Sequence, residues 1–280
     1  MIGKALGERR VARIAESLAN SVGLDLLTLA FRRNGILNAE NDDVSGESYF
    51  LNSFLKKELE NRNIDKPVIF DVGANIGKYT TRLSRTFANA EIYSFEPNPN
   101  SYKSLSTAVA QLSKPGIRVF NIGLSAESDK KVMYSYQADI ASSHASLLPE
   151  VLTDLHRSAE TLAIDASFVS FDEFCQREKL KHVHFLKIDT EGYELEVLKG
   201  AKKMIELDAL DYIQFEFGEC HVYSRVFFRD FYNTLSRYQL YRLLPDGMRA
   251  IQNYSPDLEI FHFQNIVAVS RNIQARRDGV

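Results

Sequence analysis

The sequence predicts an α/β fold: a mostly parallel sheet with helices on both faces and a helical extension at the N-terminus. The main observation is that, from Pro67 onward, short apolar runs alternate with longer stretches of helical periodicity. Two further observations are a break in this rhythm at 125–170 and a pair of strand-like runs near the C-terminus. The five runs predicted as parallel strands are VIFDV (68–72), EIYSFEP (91–97), IRVFNIGL (117–124), HFLKIDTEG (184–192) and YIQFEFG (212–218).

The elements between and around these strands follow from the same patterns. Helices are predicted at KYTTRLSRTFA, at NSYKSLSTAVAQL and at YELEVLKGAKKMIE. Residues 125–170 indicate a hairpin with a long loop, and loops of this length in a compact domain are usually functional or mobile. YQLYRLL (238–244) and HFQNIVAVS (262–270) are predicted to pair and to close the sheet edge. The predicted organisation is a helical extension over 1–62, a domain over 63–271 and a disordered tail over 272–280.

Composition and charge narrow the classes of partner. The chain has 280 residues and a net charge of −3, from 34 Lys and Arg against 37 Asp and Glu, so it lacks an overall basic footprint for nucleic acid. Cys175 and Cys220 have no zinc-like spacing and make no disulfide framework, which indicates reduced thiols and a cytoplasmic protein. The most apolar N-terminal stretch, residues 22–31, is too short to span a bilayer. The basic N-terminal helix is expected to dock on its own domain or on a second subunit in a homo-oligomer, with peripheral membrane contact as the alternative.

The segment DVGANIGKYT, residues 71–80, is a strand end followed by a glycine turn and a helix start. It is not a phosphate-binding loop for nucleoside triphosphates, because Gly73 and Gly77 are one residue too close and Tyr79 replaces the required Ser or Thr. It also lacks the third glycine of the dinucleotide fingerprint. Asp71, just before the turn, would repel a pyrophosphate but attract the ammonium and sulfonium groups of S-adenosylmethionine. Glu96, at the end of the next strand, is placed to accept hydrogen bonds from both ribose hydroxyls of any adenosine ligand, so it does not by itself separate a nicotinamide cofactor from the methyl donor.

The motifs DVGANIGKYT, FEPNP, NIGLS, FLKIDTEGYELEVLKGA and IQFEFG resemble, in this order, those of the FkbM family of S-adenosylmethionine-dependent methyltransferases. The resemblance covers about residues 47–218, and KIDTEGYE is its most specific part. It implies a Rossmann-like class I methyltransferase fold, with a seven-stranded sheet whose last strand is antiparallel. It also implies methyl transfer to oxygen, often on sugars or glycosylated metabolites. By the same resemblance, the methionine moiety would be held by Asp71, Gly73, Ala74, Asn75 and Gly77. The ribose would be held by Glu96 with Asn98 beside it, and the adenine would lie near Asn121 and Gly123.

The strand ends predict where the chemistry would take place, since ligands of open α/β sheets bind beyond the carboxyl ends of the strands. After the cofactor half, these ends bring Asp189 and Glu191, then Glu216 and His221. Methyl transfer needs an aligned acceptor and removal of a proton, for which histidine is best tuned near neutral pH. His144, in the long loop, is therefore the first candidate base and His221 the second. Asp189 or Glu191 would then orient the base or bind acceptor hydroxyls.

The acceptor is expected to be a small molecule or a glycan. Asp189, Glu191 and Glu216 could together bind a hard cation, but no His-rich or EF-hand-like spacing supports one, so no metal is predicted. Two other classes stay open. One is a cofactor-binding or partner module without catalysis, against which stand the acids at every expected strand end. The other is a nicotinamide-dependent oxidoreductase, for which the third glycine and an evident hydride-relay pair are missing.

Overall fold

The structure is a computed structural model that describes residues 2–136, 145–157 and 161–277. Its strands are β1 (Val68–Val72), β2 (Glu91–Phe95), β3 (Ile117–Phe120), β4 (Gly123–Ser125), β5 (Asp129–Tyr136), β6 (Ala145–Ser146), β7 (Thr161–Ser170), β8 (Val183–Ile188), β9 (Leu210–Phe217), β10 (Tyr238–Leu244), β11 (Gly247–Ile251) and β12 (Gln264–Ser270). Its α-helices are α1 (Ile2–Ser21), α2 (Leu26–Arg33), α3 (Glu47–Tyr49), α4 (Lys56–Asn61), α5 (Lys78–Thr86), α6 (Pro99–Leu112), α7 (Phe171–Arg177), α8 (Glu194–Gly200), α9 (Lys202–Glu206), α10 (Cys220–Ser224), α11 (Phe228–Thr234) and α12 (Arg271–Arg277). Phe50–Leu55 and Val151–Leu155 are π-helical, and Pro256–Leu258 form a 3₁₀ turn.

The main sheet contains, among the described residues, eight strands in the order β11-β10-β12-β9-β8-β1-β2-β3. The strand β1 lies between β2 and β8 and runs parallel to both, and β9 continues the parallel arrangement beyond β8. The last strand, β12, is antiparallel to both of its neighbours, β9 and β10. This is the predicted mostly parallel α/β sheet with an antiparallel last strand, and the carboxyl ends of β1, β2, β8 and β9 therefore meet at one edge.

The sheet edge differs from the prediction of seven strands. The two runs 238–244 and 262–270 do pair, as β10 and β12, but they do not close the edge. Pro245 and Asp246 form a tight turn that lets Leu244 pair with Gly247, so the chain first forms a hairpin with β11 outside β10. The eighth strand is the result of this hairpin.

A second sheet, of four strands within the described part of the chain, follows the order β4-β7-β5-β6. The predicted hairpin over 125–170 is present, with β5 and β7 paired from Asp129 opposite Phe168 to Tyr136 opposite Thr161. The predicted single strand over 117–124 is instead two. Its first part, β3, pairs with β2 in the main sheet, and its last part, β4, pairs with β7 in the second sheet, so the chain must bend between them.

Helices cover both faces of the main sheet, as the alternation of strands and helices predicts. Successive residues of β1 point to opposite faces, so Ile69 belongs to one apolar cluster and Phe70 to the other. On one face the segment 47–61 packs through Phe50, whose ring lies 5.4 Å from that of Phe185. On the other face the ring of Phe70 lies 4.8 Å from that of Phe171. Each fully buried side chain of this kind contributes about 1.5–3 kcal/mol.

The two ends of the described chain behave differently. Residues 271–277 form α12, which corrects the expected disordered tail over this stretch. The reason is that Ile273 is buried in an apolar cluster of the core and so docks the helix. At the other end, the apolar stripe of α1 and the residue after it (Val11, Ile14, Leu18 and Val22) is 61–76 % exposed, so this stripe does not dock on its own domain. Within the described residues, no helix is both long and apolar enough to cross a membrane.

Candidate active site

The glycine turn after β1 is built by backbone contacts that side chains would disrupt. The N–H groups of Gly73 and Ala74 both donate to the carbonyl of Phe95 at the end of β2, at 3.0 and 2.9 Å. Gly73 has φ +80°, and a Cβ there would lie 1.7 Å from the carbonyl oxygen of Asp189. Gly77 has φ +86° and precedes the first residue of α5. The turn is therefore held against the ends of both neighbouring strands, and only glycine fits at its closest approach.

Glu96 is locked in place beside this turn. Its Oε2 accepts the backbone N–H of Asn75 and its Oε1 accepts that of Asn98, each at 2.8 Å. The residue is only 6 % exposed. Burial raises the pKa of Glu96 to about 7, although the two N–H donors act in the opposite direction. Each oxygen keeps a second lone pair, so the carboxylate can accept further hydrogen bonds without moving.

A first cleft of about 710 Å³ opens beside Glu96 between the main and second sheets. Met133 and Phe168 offer apolar surface to a flat base, and the carboxyl group of Glu96 offers acceptors to hydroxyls. The residues present thus fit the adenosine and methionine parts of S-adenosylmethionine. The walls combine apolar side chains on one side with backbone and carboxylates on the other, and they include Gly73, Asn75, Glu96, Gly123, Leu124, Met133, Leu147, Phe168, Asp189 and Glu191.

Three of the predicted cofactor residues support this cleft from behind and do not line it. Asp71 is fully buried, and its Oδ2 accepts the hydroxyl of Thr80 at 2.6 Å. The side chain of Asn98 accepts an N–H group in the first turn of α6 at 2.9 Å and so begins that helix. Asn121 donates to the main-chain carbonyl of Glu96 at 2.9 Å. These side chains hold the turn and the end of β2 in position.

A second cleft, of about 1130 Å³, lies on the other side of the glycine turn. It shares Gly73, Asn75 and Asp189 with the first cleft, so the two clefts meet at the carboxyl ends of β1 and β8. Ala74 lines only the second cleft and not the first, and Gly77 lines neither cleft. The remaining walls of the second cleft include Asp42, Glu47, Lys78, Tyr79, Arg82, Arg85, Lys187 and Glu216.

A buried lysine organises the floor of the second cleft. The ammonium of Lys187 lies 2.7 Å from Oδ2 of Asp189 and 4.8 Å from the centre of the Tyr79 ring. Burial alone would lower the pKa of Lys187, but the charges of Asp189, Asp71 and Glu47 hold it above its ordinary value. Lys187 therefore remains a cation in an acidic surrounding.

The acids around Lys187 are harder to ionise than usual. Burial raises the pKa of Asp189, and only part of this effect is offset by Lys187. Burial also raises the pKa of Glu216 well above its ordinary value, with the nearby charge of Asp189 acting in the same direction. Carboxyl groups with raised pKa values are suited to taking up a proton near neutral pH.

Of the other residues predicted for catalysis, Glu191 lies at a cleft and His221 does not. Glu191 lines the first cleft, and its Oε2 accepts the thiol of Cys220 at 3.2 Å. His221 lines neither cleft and is only 2 % exposed. Its Nδ1 accepts the N–H of Gly218 at 3.2 Å, and its Nε2 lies 3.0 Å from Oε2 of Glu194. Because His221 is buried away from both clefts, it is not placed to take a proton from an acceptor bound in either. His144 lies outside the described residues and stays a prediction.

A group of possible metal ligands lies far from both clefts, at the opposite edge of the sheet. Among the described residues, His182, His184 and Asp211 bring ligand atoms within 4.8 Å of one another at the starts of β8 and β9. Nδ1 of His184 already accepts the N–H of Val68 at 2.9 Å, which leaves its proton on Nε2. Asp211 is paired with Arg62 at 2.8 Å and with His182 at 2.8 Å. These hydrogen bonds and ion pairs give the three side chains a structural role that does not involve a metal.

Comparison with known proteins agrees with this geometry. A family model described as the methyltransferase FkbM domain matches residues 71–243, which is more than half of the chain. The chain belongs to the FkbM methyltransferase family. Its fold is the class I methyltransferase fold that the sequence motifs imply. The cofactor that the resemblance to this family implies is S-adenosylmethionine, and the first cleft has the residues to hold it.

The chain is similar to several curated methyltransferases. Methyltransferase sdnD of Sordaria araneosa is 29 % identical over 157 residues, which are 48 % of this chain and 60 % of the relative. Hexuronic acid methyltransferase AglP of Haloferax volcanii is 27 % identical over 179 residues, 64 % of each chain. The 2-O-methyltransferase NoeI of Sinorhizobium fredii is 21 % identical over 189 residues, 65 % of this chain and 76 % of the relative. The chain thus spans less than two thirds of the length of the first two relatives.

The sequence does not predict the contacts that two residues, Glu194 and His156, make around the FkbM motif KIDTEGYE. The helical position of Glu194 predicts exposure, but it is 1 % exposed and accepts the N–H groups of Thr190 at 2.7 Å and Gly192 at 3.1 Å. It therefore folds the loop that carries Glu191. His156, for which the sequence offers no supporting pattern, lies 4.0 Å from Oε2 of Glu191. The signal that the sequence does offer is the position of Glu194 at a helix start, where acids often bond free N–H groups.

Proposed function

We propose that this protein is an S-adenosylmethionine-dependent O-methyltransferase that acts on a hydroxyl of a sugar, a glycan or a glycosylated metabolite. The observation that supports this most directly is the meeting of two clefts at Gly73, Asn75 and Asp189. One cleft fits adenosine, and the other is open and lined by charged and polar groups. A donor in the first cleft and an acceptor in the second would touch at this junction.

The acceptor class is supported by two of the relatives. One is named a hexuronic acid methyltransferase and the other a 2-O-methyltransferase. The first name describes an acceptor that is a sugar acid, and the second describes transfer to oxygen. The second cleft has the polar walls that an acceptor rich in hydroxyls needs.

The chain's own residues would supply alignment and a proton acceptor. S-adenosylmethionine, when bound, supplies a methyl group activated by its sulfonium. Asp189 lines both clefts, and burial raises the pKa of its carboxyl group. Lys187 holds its Oδ2 at 2.7 Å and so fixes its direction. We therefore assign Asp189 as the group that accepts the proton of the acceptor hydroxyl, with Glu216 beside it in the second cleft.

The experiment is a methyl-transfer assay with isotope-labelled S-adenosylmethionine and a panel of sugars, sugar acids and glycosides. We expect label in at least one sugar and release of S-adenosylhomocysteine in equal amount. Asp189→Asn should lower turnover by about 10²–10⁴-fold, the usual range for a general base, with affinity for S-adenosylhomocysteine retained. Glu206→Gln, on an exposed pair with Lys202, is the matched control and should keep normal turnover. If Asp189→Asn keeps turnover and His144→Ala abolishes it, the base is His144.

A further inference from the structure

The second cleft separates its charges onto two walls. One face of α5 forms the outer wall through Lys78, Thr81, Arg82 and Arg85, which recur at the i, i+3, i+4, i+7 spacing of a helix face. The floor opposite holds the carboxyl groups of Glu47, Asp189 and Glu216 around the cation Lys187. The cleft is therefore basic along its rim and acidic at its floor, in a chain whose net charge is −3.

Not every cation of the basic rim is paired with an acidic side chain of the described residues. Arg82 is held by Asp42 at 2.7 Å and by the hydroxyl of Ser48 at 2.8 Å, so its guanidinium is fixed in place. Lys78 and Arg85 are exposed, and neither forms an ion pair with another described residue. Two cations on one wall thus remain available to a ligand.

The position of Lys78 adds a second reason. It is the first residue of α5, where the helix presents unpaired N–H groups and a partial positive charge. The first turn of this helix holds no acidic residue, and Gly77 before it supplies no side-chain cap. A cation at this end is unfavourable unless an anion lies nearby. An anionic ligand on this wall would complement the lysine, the arginine and the helix end together.

We propose that the rim of the second cleft, formed by Lys78 and Arg85 with Arg82 between them, binds an anionic group of the methyl acceptor. This group is a carboxylate, as in a sugar acid, or a phosphate ester. The inference rests on the proposed function and narrows its substrate class. Among the described residues, the cations of this cleft without an ion-pair partner lie at the rim, while the cation of the floor, Lys187, is paired with Asp189. The acceptor therefore enters with its charged end at the rim and a neutral hydroxyl toward Asp189. The charge separation of the cleft thereby selects and orients the acceptor.

The test compares three matched sugars on protein saturated with S-adenosylhomocysteine. They are methyl glucoside, which is neutral, methyl glucuronoside, which carries a carboxylate, and glucose 6-phosphate. Calorimetry should show that one or both anions bind about tenfold or more tightly than the neutral sugar, as charge-assisted hydrogen bonds imply. The anion that binds more tightly identifies carboxylate or phosphate as the recognised group.

The variant Lys78→Glu/Arg85→Glu should remove this preference and leave the affinity for S-adenosylhomocysteine unchanged. The matched control is Lys57→Glu/Lys103→Glu, which makes the same change of charge at exposed lysines outside both clefts. This control should keep the preference for the anion.

The outcomes separate the two proposals. If neither anion binds more tightly than methyl glucoside, or if the double variant keeps the preference, the anion site is refuted. If the double variant loses affinity for S-adenosylhomocysteine, the rim binds the cofactor's own carboxylate and the inference is equally refuted. Transfer of methyl to a neutral sugar alone would refute the anion site and leave the proposed function standing. Binding of the anions without methyl transfer to any sugar would refute the proposed function and leave the anion site standing.

Discussion

Glu96 offers the sharpest test of how the first cleft binds its ligand, because its charge changes within the working pH range. Burial raises its pKa to about 7. A ribose hydroxyl donates more strongly to a carboxylate than to a neutral carboxyl group, so binding favours the ionised form. With this pKa, about one tenth of the protein is ionised at Glu96 at pH 6 and about nine tenths at pH 8. We therefore expect the Kd for S-adenosylhomocysteine to fall about tenfold between these two pH values.

The substitution Glu96→Gln removes this titration. Glutamine keeps one acceptor oxygen, so one of the two N–H groups of Asn75 and Asn98 loses its partner, at a cost in stability of about 1–3 kcal/mol. The Glu96→Gln variant should bind S-adenosylhomocysteine about tenfold more weakly than wild type at pH 8, and its affinity should not vary with pH. The folded-state pKa of Glu96 lies above its ordinary value of 4.5, so wild-type Glu96 contributes stability below pH 4.5 that is lost as the pH rises through about 7. The variant should lack this contribution.

The assay is isothermal calorimetry at pH 6, 7 and 8 in buffers of different ionisation heat, which reports protons released on binding. Glu91→Gln, at the other end of β2, is the matched control and should reproduce the wild-type curve. A wild-type Kd that stays constant from pH 6 to pH 8, or a glutamine variant with the same pH dependence as wild type, would refute the role given to Glu96.

Two further changes test the turn and the core. Gly73→Ala should lower the free energy of unfolding by at least about 1–2 kcal/mol, because residue 73 has a left-handed backbone conformation. The substitution should also abolish binding of S-adenosylhomocysteine, since the Cβ of Ala would lie 1.7 Å from the carbonyl oxygen of Asp189. Gly247→Ala, where a Cβ meets nothing within 4 Å, should do neither in chemical denaturation and calorimetry. His221→Ala should lower the free energy of unfolding by about 1–3 kcal/mol, because it removes a buried ring and leaves Oε2 of Glu194 with the N–H of Gly192 but without the imidazole. Unchanged stability together with lost turnover would instead make His221 the base.

The predictable parts of the fold are those that local patterns control. Alternating apolar runs and helical stretches identify the parallel strands, because each pattern reflects the period of its own element. The eighth strand escapes prediction because a tight turn at Pro245 and Asp246 decides between a hairpin and a direct return to β12. The division of 117–124 into two strands escapes it because the division depends on which sheet each half joins, and that is a contact between residues distant in the chain.

The candidate site shows the same limit. The sequence predicts Glu96 at the cleft because a strand end points to a defined edge of the sheet, and Glu96 does line the cleft. Asp71 shares this edge, but its side chain turns inward to Thr80, a direction set by packing and not by spacing. The charged floor of the second cleft joins Glu47 and Glu216 through the buried Lys187, over a long separation in sequence. Such a group forms only when the chain is folded.

The central claim is that the first cleft is a site for S-adenosylmethionine. The most direct measurement is a calorimetric titration of the wild-type protein with S-adenosylhomocysteine and, in parallel, with NAD. We predict that S-adenosylhomocysteine binds with one site per chain and that NAD gives no binding heat, because the turn lacks the third glycine of a dinucleotide site. Binding of NAD without binding of S-adenosylhomocysteine would contradict this account.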